Sequence, residues 1–304
     1  MKLFYSDVFS FPLPPEHRFP LGKYALLRER LVASDWLEPH DLLIPEPATD
    51  EQLLRVHSQE YLARVIQGNL DPREVRRIGL PWSPELVQRS RHSVGGTIAA
   101  AYIALEYGIG INLAGGTHHA HRDWGSGFCV FNDVAVAACE LQARAGIERI
   151  LILDCDVHQG DGTAAIFAED PSVFTFSIHG QTNFPFRKSA SDLDIGLEDG
   201  ASDDVYLSSL GEALQSIFNK RTSFDFVFYL AGADPYYRDA YGHLGLTKEG
   251  LQMRDRLVFD ACIEKGLPIA VVLAGGYAPD LHDVVDIHLN TIEQAFEFER
   301  SLKR

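Results

Sequence analysis

RILILDCDVHQGDGT, residues 149–163, decides how the rest of this chain is read. Four apolar residues, Ile150 to Leu153, run directly into Asp154, Asp156 and His158, with Asp161 close behind. A short apolar run without polar alternation reads as a strand buried on both faces, as in parallel sheets covered by helices. Side chains of an extended chain alternate with period two. Asp154, Asp156 and His158 therefore leave on one face, with Cys155 and Val157 on the other. Two carboxylates held this close repel, and one takes a proton unless a cation lies between them. The stretch thus fits a divalent metal site, or a phosphatase in which Asp154 would carry the phosphoryl group beside Mg²⁺.

Working outward, GIGINLAGG (108–116), VFTFSIHG (173–180), FDFVFYLAG (224–232) and PIAVVLAGG (268–276) are apolar runs of the same kind. Helical patterns separate them: 22–35, 50–68 with Asp50 as N-cap and Gly68 as stop, 83–108 as one helix or two, and 131–146 closed by Gly146. The Pro-rich segment 12–47 reads as wrapping the surface around the first helix. No repeat or linker divides the sequence. The expectation is an α/β fold: a single domain over 1–304, in three αβα layers around a mostly parallel sheet.

Ligands of such sheets bind beyond the carboxyl ends of the strands. After the first run come His118, His119 and His121; after the second, Asp154, Asp156 and His158; the others deliver His179, Asp234 and Tyr277. Asp156, His158 and Asp234 would give three metal ligands and leave a position open, the pattern of a catalytic site. Such a set suits Zn²⁺ and also admits Fe²⁺ or Mn²⁺. A histidine beside it could act as general base if a carboxylate fixed its tautomer, and Asp154 and Asp161, not needed as ligands, could each serve one histidine of the His118–His119 pair. His121 reads as a loop residue, with a place in this group as the sharper alternative. Tyr277 after Gly-Gly is a packing residue alone and an oxyanion donor in company. Phe128 and Phe184 are core aromatics or channel walls.

A hydrophobic content of 46% and a charged content of 23% suit a soluble enzyme. The net charge of −16 argues against nucleic acid and is weakly compatible with cationic peptides or amines. Cys129, Cys139, Cys155 and Cys262 show no CxxC spacing. With no signal-peptide pattern and no credible membrane span, free thiols in a cytoplasmic protein are expected.

GGTHHAHRDWGSGFCVFND, LDCDVHQGDGT, AGADPYYRDAYGHLGLT and LAGGY occur in this order between residues 115 and 277. Together they resemble the histone deacetylase family of the arginase–deacetylase fold, most closely its bacterial and class IV branch. The resemblance implies a zinc-dependent hydrolase acting on N-acyl-lysine through metal-activated water. Asp156, His158 and Asp234 would be the metal ligands, and His119 the general base and acid, with His118 as its electrostatic partner. Asp161 and Asp154 would pair with those histidines, and Tyr277 would stabilise the oxyanion. It further implies an acyl-lysine tunnel at Gly127, Phe128 and Phe184, and a structural K⁺ at Asp154, Asp156, His158, Ser177 and Ile178. Ala274 stands where many members carry another glycine, so a different local turn is expected there.

Against the phosphatase, its motif wants Thr or Val where His158 stands. A binuclear ureohydrolase would need more carboxylates around a second metal. A non-catalytic acyl-lysine binder would be expected to lose Tyr277, a ligand or the histidine pair. The substrate stays open between an acyl-lysine peptide or protein, an acetylpolyamine and another small N-acyl amine.

Overall fold

The computed structural model describes residues 1–220 and 223–302. The five apolar runs form strands β3 (Ile109–Asn112), β4 (Ile150–Asp154), β5 (Val173–Gly180), β7 (Phe226–Leu230) and β8 (Ile269–Val272). Three further strands, β1 (Lys2–Phe4), β2 (Leu42–Leu43) and β6 (Leu193–Leu197), complete a sheet of order β2-β1-β3-β8-β7-β4-β5-β6. Every pairing among the described strands is parallel, not merely most of them. β3, β4, β7 and β8 are buried along their whole length, which is why their sequences show no alternation. The five strands that carry the polar groups are neighbours in the sheet, so their carboxyl ends form one continuous edge.

Helix α5 (Pro84–Tyr107) is a single helix. Ser83 caps its start, Pro84 opens it, and Gly108 ends it with φ 86°. It packs on β3 and β8, beside α6 (Asp133–Arg144). A second group consists of α1 (Gly22–Val32), α8 (Asp203–Lys220), α9 (Lys248–Lys265) and α10 (Leu281–Leu302).

Two expectations need correcting. Residues 50–68 form two helices, α2 (Asp50–Leu53) and α3 (Gln59–Gln67), because Thr49 makes a capping box with Gln52 and Ser58 caps a second start. Thr49, not Asp50, is the N-cap, while Gly68 ends α3 at φ 72° as expected. Segment 12–47 is more than a surface wrap: Phe19, Tyr24, Leu27 and Leu31 are buried, and β2 joins the sheet.

Candidate active site

The loop after β3 turns at Gly115 (φ 83°) and Gly116 (φ 71°). At the start of α6, the Asp133 carboxylate accepts the Gly116 and Thr117 amides at 3.0 and 2.7 Å and the Thr117 and Thr97 hydroxyls at 2.6 and 2.5 Å. A helix N-terminus favours a carboxylate. The clamp fixes the backbone immediately before His118 and His119.

Both histidines are buried and each faces an acid. His118 Nδ1 donates to Asp154 Oδ2 at 2.6 Å, and His119 Nδ1 to Asp161 Oδ1 at 2.7 Å. A ring nitrogen against a carboxylate must carry the proton, which leaves Nε2 of each ring as the second site. Burial and the neighbouring His118 charge outweigh Asp161 and pull His119 down to about 4. For His118 burial acts in the same sense, but Asp154 and Asp156 overcome it and raise it to about 9. The two adjacent histidines are thus shifted in opposite directions.

Strand β4 stops at Asp154, and side chain–backbone bonds organise residues 154–158 beyond it. Asp154 Oδ1 accepts the Asp156 amide at 3.1 Å, Asp156 Oδ1 the His158 amide at 3.0 Å, and Asp234 Oδ1, beyond β7, the Val157 amide at 2.9 Å. His158 Nδ1 lies 3.0 Å from Asp156 Oδ1 and 3.3 Å from Asp234 Oδ2. One donor atom from each of Asp156, His158 and Asp234 falls within 4.8 Å of the others, all three residues being buried.

This set fits a divalent cation. Asp234 Oδ2 is buried without a hydrogen-bond partner, a costly state unless a cation takes it up. Burial and the Asp156 charge raise Asp234 to about 7, while the two carboxylates overcome burial and raise His158 to about 10. The cluster demands positive charge. Glycine keeps the space open: a Cβ at Gly275 would fall 1.8 Å from Asp234 Oδ2 and 2.5 Å from Asp156 Oδ2.

Above the cluster lies a pocket of about 760 Å³, lined at depth by His119, His158, Gly127, Phe128, Phe184 and Tyr277. The Tyr277 ring lies 5.9 Å from Phe128 and 6.4 Å from His158, and burial pushes its phenol well above 10. The Phe184 ring meets His119 edge-on at 4.9 Å. Gly127 (φ 52°) is tight against His119, since a Cβ would lie 2.6 Å from its Cδ2. Phe128 (φ 65°) is held in the left-handed region that bulky residues avoid, its amide bonded to the Ile78 carbonyl at 2.7 Å. Ser177 lies opposite Asp154 in the β4–β5 register, beside buried Ile178.

A histone deacetylase domain model matches residues 17–292. Histone deacetylase 2 of Arabidopsis thaliana is 32% identical over 280 residues, covering 89% of this chain and 72% of that protein. The chain belongs to the histone deacetylase family. An uncharacterized protein of Picosynechococcus is 47% identical over 284 residues, covering 93% and 94% of the two chains. The acetoin utilization protein AcuC of Staphylococcus aureus is 30% identical over 270 residues, 81% of this chain and 69% of that one. Among solved structures, an HDAC homologue complexed with SAHA superposes with a TM-score of 0.81 at 23% identity, over 99% of this chain and 88% of the other. An HDAC homologue from Aquifex aeolicus gives 0.80 at 23%, with the same coverage. The histone deacetylase family makes the chain an amidohydrolase of the deacetylase type with an arginase–deacetylase fold. Members are typically metal-dependent, and the Asp-His-Asp cluster is where an ion fits.

Within this deacetylase fold Asp239, Arg254 and His57 carry no sequence signal, and His121 takes the sharper of its two readings. His121 is no bystander: its Nε2 lies 3.2 Å from Asp161 Oδ2, and its ring stacks on Trp124 at 3.7 Å. Asp239 accepts the Tyr277 amide at 2.6 Å and those of Tyr241 and Gly242 at 2.8 and 2.9 Å, fixing the tyrosine's backbone. Arg254 of α9, fully buried, donates to the Gly232 carbonyl at 2.5 Å and the Cys155 carbonyl at 3.4 Å, tying the ends of β7 and β4 together. His57 donates from Nδ1 to the His121 carbonyl and accepts the Asn132 amide at Nε2, both at 3.0 Å. His179 bonds Ser177 Oγ at 3.0 Å and is absent from the pocket lining. Ala274 itself stands in the left-handed region (φ 51°).

Proposed function

We propose that residues 1–304 form one catalytic unit that hydrolyses the amide of an N-acyl-lysine side chain, with Asp156, His158 and Asp234 holding Zn²⁺ or Fe²⁺. The observation that carries this reading is the meeting of three buried metal donors with two oriented Asp–His pairs at the base of an aromatic-walled pocket. A bound ion would lower the pKa of water and polarise the acyl carbonyl. His119, neutral at pH 7 and tied at Nδ1 to Asp161, offers Nε2 to take the water proton and return it to the leaving amine. His118, bonded at Nδ1 to Asp154, is an electrostatic partner beside the reacting groups, its positive charge favoured by that carboxylate. The Tyr277 phenol stays protonated and donates to the developing oxyanion. Phe128 and Phe184 flank the lysine stem, and Gly127 leaves its backbone close to the amide.

A K⁺ ion among the carbonyls of Asp154, Asp156, His158, Ser177 and Ile178 belongs to the same reading, supported by the adjacency of β4 and β5. The ureohydrolase alternative lacks support: among the described residues a single His/Asp donor cluster converges. Among those residues no helix is long and apolar enough to cross a membrane.

A turnover panel of acyl-lysine peptides, acetylpolyamines and other small N-acyl amines, with metal content measured on the same sample, tests the proposal. Hydrolysis of acyl-lysine peptides by metal-loaded protein is expected. Turnover confined to acetylpolyamines or small amines moves the substrate to that alternative. A metal-loaded sample inert to all of them contradicts the assignment.

A further inference from the structure

The mouth of the pocket carries charges that the chain's composition does not predict. Its rim is built by residues 14–18, the end of α4 (Pro72–Ile78), residues 182–186 and 240–243. Two arginines line it, Arg18 and Arg77, both exposed, against one carboxylate, Glu16. The sequence holds 43 acidic and 27 basic residues, so an unbiased rim would be negative. Elsewhere Arg30, Arg55, Arg64, Arg91 and Arg144 each meet a carboxylate within ion-pair distance, while Arg73, Arg76 and Arg122 meet none among the described residues. Among the described residues, neither Arg18 nor Arg77 has such a partner. Arg77 is nonetheless held in place, its guanidinium lying 4.4 Å above the Trp124 ring. Its backbone carbonyl also accepts the Gly127 amide at 3.1 Å, tying its position to the pocket wall.

Resting on the acyl-lysine reading above, we propose that Arg18 and Arg77 form a recognition site for acidic residues flanking the acyl-lysine, making acidic protein segments the preferred substrate class. An acylated lysine is neutral, so the charge read at the mouth is that of its neighbours. An arginine fork binds a carboxylate in bidentate geometry. A free acetylpolyamine, cationic along its length, meets repulsion at the same place. The preference therefore separates the two substrate classes that the deep site does not.

The test compares kcat/KM for three matched acyl-lysine peptides with glutamate, lysine or uncharged flanks. Rim ion pairs contribute roughly 0.2–1 kcal/mol each, so two predict a glutamate-over-lysine preference of about 2- to 30-fold at low salt. Rim charges act mainly through association, so the effect belongs in KM. The double variant Arg18→Glu/Arg77→Glu is expected to abolish or reverse the preference. Arg144→Glu/Arg256→Glu, an equal charge change outside the pocket lining, is expected to keep it. About 0.5 M NaCl on the wild type should level the three peptides whether or not the variants fold. A wild type with no preference, or one favouring lysine flanks, overturns the proposal, as does a preference indifferent to the rim variant or to salt. If no peptide of any flank is hydrolysed, the acyl-lysine reading itself fails, a separate outcome.

Discussion

The floor and the mouth of the same pocket are built on opposite terms. At the floor His118, His119, Asp154, Asp156 and Asp234 are buried, and glycines admit neighbours that a methyl group would displace. Each carboxylate there meets a histidine ring nitrogen. At the mouth Phe186 is 89% exposed, and Arg18 and Arg77 are exposed with no carboxylate partner among the described residues. A buried unpaired charge costs several kcal/mol, whereas an exposed one costs almost nothing. The floor therefore tolerates essentially one arrangement, and the mouth many. On the proposed reading, chemistry resides in the first and substrate choice in the second.

If that division is right, substitutions at the floor lower kcat and those at the mouth move KM. Tyr277→Phe should show the largest effect among variants that keep the metal: a loss of about 10²–10³ in kcat, typical of an oxyanion donor, with metal content intact. An unchanged kcat would remove the tyrosine from the reaction. His121→Ala leaves Asp161 with one histidine partner and should lower kcat by roughly 3- to 10-fold with KM unchanged. His121→Gln, which keeps a donor, should recover part of it. Full activity in the alanine variant would show that Asp161 needs no second bond.

The next prediction is read in stability. Burial pulls His57 down to about 4, below its ordinary 6.5, so the unfolded chain binds the proton more readily than the folded one. The stability it contributes is present above about 6.5 and lost as pH falls from there toward 4. Denaturant midpoints of wild type should therefore drop faster over that window than those of His57→Gln. Parallel pH profiles would show that His57 is not held neutral. The smallest effect is expected at Ala274, whose left-handed backbone a glycine adopts without strain. Ala274→Gly should stabilise by about 0.5–1 kcal/mol, and a lower melting temperature would mean that its methyl contact matters more than its φ.

The same physics decides which features were legible in the residues. β3, β4, β7 and β8 announce themselves because a strand buried on both faces must be apolar throughout, and the groups after them stand out by contrast. β1 and β2, three and two residues long, are too short to leave a pattern, and β6 alternates on the sheet edge. The residues of the candidate cation cluster stood out as Asp156 and His158 at alternate positions, with Asp234 after a separate strand. The supports were not. Asp133, Asp239 and Arg254 act on distant backbone amides and carbonyls, and no local spacing signals such a bond. His121 was visible as a residue, but its bond to Asp161 spans 40 positions, and its stacking partner Trp124 carries no motif. The rim arginines come from two segments, residues 14–18 and the end of α4, that only the fold brings together.

The central claim is that a divalent ion at Asp156, His158 and Asp234 is required for the hydrolysis. Its most direct measurement is a metal titration of chelator-stripped protein, following turnover of an acyl-lysine peptide, with Asp234→Ala carried in parallel. The account predicts no turnover after stripping, recovery that saturates at about one ion per chain, and neither binding nor recovery in the variant. Full turnover by the stripped protein, or wild-type metal occupancy in Asp234→Ala, would contradict it.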